Sequence, residues 1–226
     1  MITIRNLSKY FGTKEVLKSI NMEFYKGKVY GIVGENGAGK TTLFRCIAGL
    51  ESYEGEIITH PTPIKEHLGL LLAEPFFFQK ITGKEYIRLL CNARKVNIPN
   101  IEARNIFDLP LHQYASTYST GMKKKLALTA ILLQGNDFYI LDEPFNGVDI
   151  QSNLVITEII HQLKALNKTV IISSHIFSTL SITCDEIHMI SQGRFVKSVH
   201  QKEFAALEKE MKRTLIGNKI EKLGLT

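Results

Sequence analysis

The sequence predicts an α/β fold on a mostly parallel sheet, with a small antiparallel sheet near the N-terminus and a helical insert in the middle. Two patterns carry that prediction. VYGIVG at 29–34, DFYIL at 137–141 and TVIIS at 169–173 are short, continuous apolar runs, the pattern of strands covered on both faces. Longer amphipathic stretches follow or separate them. TTLFRCIAGL at 41–50 reads as a helix closed by Gly49, and SNLVITEIIHQLKAL at 152–166 as a helix between the second and third runs. The segments ITIRNL and INMEF alternate apolar and polar residues, as half-buried antiparallel strands do. From Gly83 to Gln134 the pattern turns helical, in KEYIRLLCNARKV and KKKLALTAILLQ, so 83–134 is expected as a helical insert. Between 200 and 226 a helical tail is expected, with Phe204, Leu207 and Met211 at helical spacing and packed back on the body of the chain. With no internal repeat or low-complexity linker, residues 1–226 read as one unit.

Bulk composition narrows the function classes without choosing among them. At 44% hydrophobic and 22% charged, the 226 residues suit an ordinary globular protein. The net charge of +6 permits an anionic partner, whether nucleotide, nucleic acid or an acidic membrane surface. No apolar stretch reaches the ~20 residues of a membrane span, and the N-terminus lacks a signal-peptide core. Cys46, Cys91 and Cys184 are scattered, without zinc or disulfide spacing, which points to a reducing setting.

Three short motifs carry chemistry. GENGAGKTT at 34–42 fits G-x-x-x-x-G-K-[ST] between an expected strand and an expected helix. Glycines at 34, 37 and 39 let the backbone wrap a phosphate so that successive N–H groups point at it. Lys40 reaches the outer phosphates, and the Thr41 hydroxyl suits Mg²⁺. LDEPFNGVD at 141–149 follows directly on an apolar strand. Its Asp142 fits a metal ligand and its Glu143 the group that polarises an attacking water. SSH at 173–175 ends the third strand with His175. Ligands in parallel sheets sit beyond the carboxyl ends of the strands. Gly34, Asp142 and His175 would therefore deliver phosphate, metal and proton-handling groups to one edge, the layout of a nucleotide hydrolase.

GENGAGKTT, YSTGM, ILDEP, NGVD and SSH, in this order, resemble the ATP-binding subunit of ABC transporters, over about residues 2–200. The resemblance implies a P-loop NTPase core and ATP with Mg²⁺ as ligands. It also implies ATP hydrolysis by a dimer, with transmembrane permease subunits as partners. ATP would be held by Gly34, Asn36, Gly37, Ala38, Gly39, Lys40, Thr41 and Thr42. Mg²⁺ would lie at Thr41 and Asp142, with Glu143 and His175 as the catalytic pair. Phe11 matches the aromatic that stacks on adenine, with Tyr10 a near competitor. YSTGM at 118–122 stands where the family carries its signature segment, which caps ATP bound by the other subunit. Ser119 and Gly121 match that segment, whereas Thr120 and Met122 depart from it. Taken alone, YSTGM with its three lysines reads as a helix cap followed by a solvated lysine run. Asp149 matches the loop that reads the opposite site. The place implied is cytoplasmic, peripheral on the inner face of the membrane, and YSTGMKKK is similar to export-type members.

Other features fit less directly. Ala73 stands where the family carries a glutamine beside the metal, with Glu74 adjacent and Gln79 too far along. Three consecutive phenylalanines, Phe76–Phe78, cannot all face one core. They read either as local core with one ring exposed or as a groove for a helix of a membrane subunit. A soluble ABC-type ATPase acting on nucleic acid, the ribosome or cofactor assembly is the alternative. Nucleic acid is disfavoured, because no reader module interleaves aromatic and basic residues.

Overall fold

A computed structural model describes the backbone of residues 1–216 and the side chains of residues 1–213. In chain order the strands and helices begin with β1 (Ile2–Phe11), β2 (Lys14–Phe24), β3 (Val29–Val33), α1 (Lys40–Ile47), β4 (Glu54–Thr59) and β5 (Leu68–Leu71). Next come α2 (Gly83–Ala93), α3 (Thr120–Leu133), β6 (Phe138–Asp142), α4 (Ile150–Ala165) and β7 (Thr169–Ser174). The described chain closes with α5 (Phe177–Thr183), β8 (Glu186–Ser191), β9 (Arg194–His200) and α6 (Phe204–Ile216).

Two sheets organise these elements. A three-stranded antiparallel sheet runs β2-β1-β4, and a six-stranded sheet runs β5-β6-β7-β3-β8-β9. The first five strands of the larger sheet are parallel, and β9 pairs antiparallel to β8 at its edge. Because side chains alternate across a strand, each central strand feeds two cores. Val29 and Val33, Tyr139 and Leu141, and Val170 and Ile172 face one side. There they meet Leu128 and Ile131 of α3, Ile156 and Ile160 of α4, and Leu180 of α5. Tyr30 and Ile32, Phe138 and Ile140, and Ile171 face the other, against Leu43 and Phe44 of α1 and the inner face of the small sheet. Burial on both sides is why these strands are continuously apolar.

Several expectations need correction. Of the expected helical insert, 94–119 holds only two single 3-10 turns, Glu102–Arg104 and Ala115–Thr117. Pro99 and Pro110 remove backbone donors there, and Lys95 and Asp108 adopt left-handed φ values of 56° and 49°. Two of the three phenylalanines are exposed rather than one. Phe77 packs on Tyr86 at 4.4 Å, while Phe76 and Phe78 stack edge-on at 5.2 Å in solvent. The tail packs back as expected through Phe204 and Leu207, with Phe204 edge-on to Phe177 and Met211 partly buried beside the same core. Residues 217–226 of that tail lie outside the described residues.

Candidate active site

The strand register brings three loops together. Asp142 at the end of β6 sits opposite Ser173 of β7, and Val33 at the end of β3 sits opposite Ser174. The chain therefore leaves the sheet at Gly34, Glu143 and His175 from adjacent strands. Beyond this edge lies a cleft of ≈ 630 Å³ lined by Phe11, Asn36, Gly37, Gly39, Lys40, Thr41, Thr42, Asp142, Glu143 and His175. Ala73, Lys14, Val16 and Asn146 complete the wall. Gly34 and Ala38, in the same loop, are not among the residues that line the cleft.

The 34–39 loop takes its shape from close backbone packing. A Cβ at Gly34 would come within 2.3 Å of the Ile190 carbonyl oxygen. Gly39 has φ 110°, which side chains resist, and forms the start of α1 with no side-chain cap. The first-turn N–H groups of α1 are thus left to face an anion. Lys40, nearly buried, turns back over the loop and donates to the carbonyls of Gly34 at 2.6 Å and Glu35 at 3.1 Å.

Next to it, the Thr41 hydroxyl donates to Asp142 Oδ2 at 2.6 Å. Asp142 is 1% exposed, and its other oxygen accepts from the Ser173 hydroxyl. Among the described residues no group of three His, Cys, Asp or Glu could close around an ion. One hydroxyl and one carboxylate at the cleft floor are the sparse hard-oxygen set that suits Mg²⁺ shared with phosphates. Glu143 follows with φ 51°, uncommon for a residue with a side chain. Its N–H donates to Ser173 Oγ at 2.9 Å, and its Oε2 lies 2.8 Å from His175 Nδ1.

Three further sequence candidates lie on other elements, away from the cleft. Ser119 caps α3, accepting from the Met122 N–H. Gly121 is buried against the 147–148 backbone, where a Cβ would meet the Gly147 carbonyl oxygen at 2.5 Å. Asp149 caps α4, accepting from the Ser152 N–H and from the Lys125 ammonium at 3.1 Å. These bonds hold its carboxyl well below the usual carboxylate range, the Ser152 N–H contributing most. Phe11 is half exposed at the end of β1, with the Lys9 ammonium 4.6 Å from its ring centre. Ala73 does line the cleft, while Glu74 and Gln79 are exposed.

Residues 17–146, more than half of the chain, match the ABC transporter family. The chain belongs to that family. Whole-length relatives agree on its place as an ATP-binding subunit. It is 33% identical over 217 residues to the ABC transporter ATP-binding protein NatA of Bacillus subtilis, covering 87% of this chain and 88% of NatA. To the lantibiotic transport ATP-binding protein SrtF of Streptococcus pyogenes it is 31% identical, covering 87% of this chain and 89% of SrtF. Solved structures share its fold. An ATP-binding subunit of an ABC transporter superposes with a TM-score of 0.79 at 24% identity, covering 92% of this chain and 93% of that one. A dimeric ATP-binding cassette bound to ADP and Pi gives 0.80 at 17% identity, covering 89% and 99%.

Two residues of this ABC subunit's site escaped the motif reading. Ser173 bonds both Asp142 and the Glu143 N–H. Lys124 is no part of a solvated run: it is 3% exposed, and burial pulls its ammonium below the ordinary lysine range, opposed by Glu143, Asp142 and Glu74. Consecutive helical residues point about 100° apart, so three lysines in a row cannot all face water from a helix packed on most sides. That geometry was available in the sequence.

Proposed function

We propose that this subunit hydrolyses ATP as one half of a dimer and so powers transport, in the export direction, through membrane-spanning permease subunits. The contact of Glu143 with His175, beside the Thr41–Asp142 pair, is the observation that carries the reading. In it the N–H groups of 36–42 and the Lys40 ammonium bind the phosphate chain, Lys40 exchanging its loop carbonyls for phosphate oxygens. Phe11 stacks on the adenine. Thr41 and Asp142 would hold Mg²⁺, which would supply charge neutralisation for the phosphates. Glu143 orients a water for in-line attack on the γ-phosphorus and accepts its proton as the bond to the β-bridging oxygen breaks and ADP leaves. His175, engaged by Glu143 through Nδ1, turns Nε2 toward the γ-phosphate.

The signature segment supplies the second half of each site. Ser119 and Gly121 of one copy would cap the nucleotide of the other, with Asp149 beside the same seam. The position of these residues away from their own cleft supports an intersubunit role, as does the dimeric form of the structural relative. No helix among the described residues is long and apolar enough to cross a membrane. The transported molecule would then pass through partner subunits, with this chain peripheral on the cytoplasmic face. Lantibiotic transport by SrtF and bacitracin transport by BcrA of Enterococcus faecalis, 32% identical, support the export reading. The exposed Phe76 and Phe78 would meet the permease.

Glu143→Gln tests this directly. The variant should bind MgATP, lose turnover on the order of 100-fold or more, and double in mass in solution only when MgATP is present. Parental turnover in that variant would sink the catalytic assignment, and binding without a change of mass would sink the self-paired dimer.

A further inference from the structure

Lys124 is a buried ammonium one turn into α3, and burying such a charge is costly unless it is fully hydrogen-bonded. Its Nζ donates to two backbone carbonyls of the loop after β6, that of Glu143 at 2.7 Å and that of Asn146 at 2.8 Å. The Glu143 backbone is thereby held at both ends, since its N–H donates to Ser173 Oγ at 2.9 Å. Between those anchors the residue keeps its left-handed φ of 51°. A strained conformation persists only where the surroundings over-determine it. Released from Lys124, the Glu143 peptide can relax toward the ordinary helical or extended regions, which swings the carboxylate off His175.

We propose that Lys124 is a positioning residue for ATP hydrolysis, fixing the backbone of Glu143 so that its carboxylate stays against His175. The proposal rests on the reading of Glu143 as the group that orients the attacking water. It adds a connection within one chain. Ser119, at the cap of α3, and Glu143, at the end of β6, are joined through a single side chain one turn from the cap. Lys125 reinforces the same seam by donating to Asp149 and to Ser152 Oγ, each at 3.1 Å.

A purely structural lysine and a positioning lysine predict different outcomes for Lys124→Met in the full chain. Lys124→Met removes a buried ammonium that is costly to desolvate. It leaves the Asn146 carbonyl without this donor, which lowers stability, while the Glu143 carbonyl keeps a bond from the Asn146 N–H at 3.2 Å. We expect a folded variant with a modestly lowered melting temperature and an unchanged KM for MgATP, with kcat lower by on the order of 100-fold, the scale of a ~1 Å misplacement. Lys124→Arg, which retains donors for both carbonyls, should recover most of the lost kcat. The proposal is overturned if Lys124→Met keeps kcat within about threefold of the parent, or if KM rises as kcat falls. Should the methionine variant not fold, Lys124→Gln, one bond too short to reach both carbonyls, is judged by the same two criteria. Glu143→Gln, measured alongside, separates the failures. If it is inactive while Lys124→Met is parental, only the role of Lys124 falls. If it turns over normally, the assignment of Glu143 falls first.

Discussion

Gly34 shows how far single residues set the site. Its ideal Cβ would lie 2.3 Å from the Ile190 carbonyl oxygen on neighbouring β8. Gly34→Ala should therefore push the phosphate loop off the sheet and weaken ATP affinity at least tenfold, measurable with a fluorescent nucleotide. His188 offers a residue-scale prediction about pH. It is buried beside Tyr30 and Phe195, with Nδ1 2.8 Å from Ser198 Oγ, and burial pulls it down to about 4, opposed by Glu186 and reinforced by His200. Unfolded histidine titrates near ~6.5, so between pH 6.5 and 4 the unfolded chain holds the extra proton and stability falls as pH drops. Above pH 6.5 the effect vanishes. Denaturation of His188→Phe at pH 7, 6 and 5 should show a shallower loss than the parent. At this scale Lys40 and Thr41 were legible because a glycine-rich loop leads from an apolar strand into a helix, and Asp142, Glu143 and His175 because they end or directly follow an apolar strand. Ser173 was not, because its residue type suggests water and its partners lie at the end of another strand. For Lys124 the burial was legible in the lysine run, but its carbonyl partners, which come from another segment, were not.

Helix α3 explains why some elements were easier to read than others. Its residues 126–131 are all buried and, Thr129 apart, apolar, so the run announces a helix inside the molecule. Its start is fixed by Ser119. Ser119→Ala should cost about 1 kcal/mol of stability, a fall of ~2–4 °C in melting temperature for a chain of this size. Ser119→Gly should cost only a few tenths, and thermal scans of the two variants separate capping from any effect on turnover. The strands β4, β5, β8 and β9 escaped prediction for physical reasons. Only four residues long, β5 is indistinguishable from a loop by periodicity. Glu186 and His188 interrupt β8, and β9 is an edge strand whose exposed residues dominate its sequence.

For the molecule as a whole, the sequence patterns resolved the layered core and singled out Phe76–Phe78, but not how many of its rings stand in solvent. Phe76 and Phe78, at 70% and 55% exposure, lie on the loop between Ala73 at the cleft and α2. Exchange of both for serine should leave melting temperature and basal ATPase rate in solution within about twofold, and should abolish association with permease-containing membranes, checked by co-sedimentation. Loss of basal activity would argue that the rings serve the fold instead. Gly121 carries a different lesson, for genetics. It is locked against the Gly147 carbonyl of its own chain, so any side chain there wedges two parts of one polypeptide apart. An inactive Gly121 allele would be recessive damage inside a single copy as readily as a broken handshake between copies. Complementation between alleles, the usual argument that two subunits share a site, should be sought at Ser119, where an exchange removes a helix cap worth about 1 kcal/mol rather than forcing a clash.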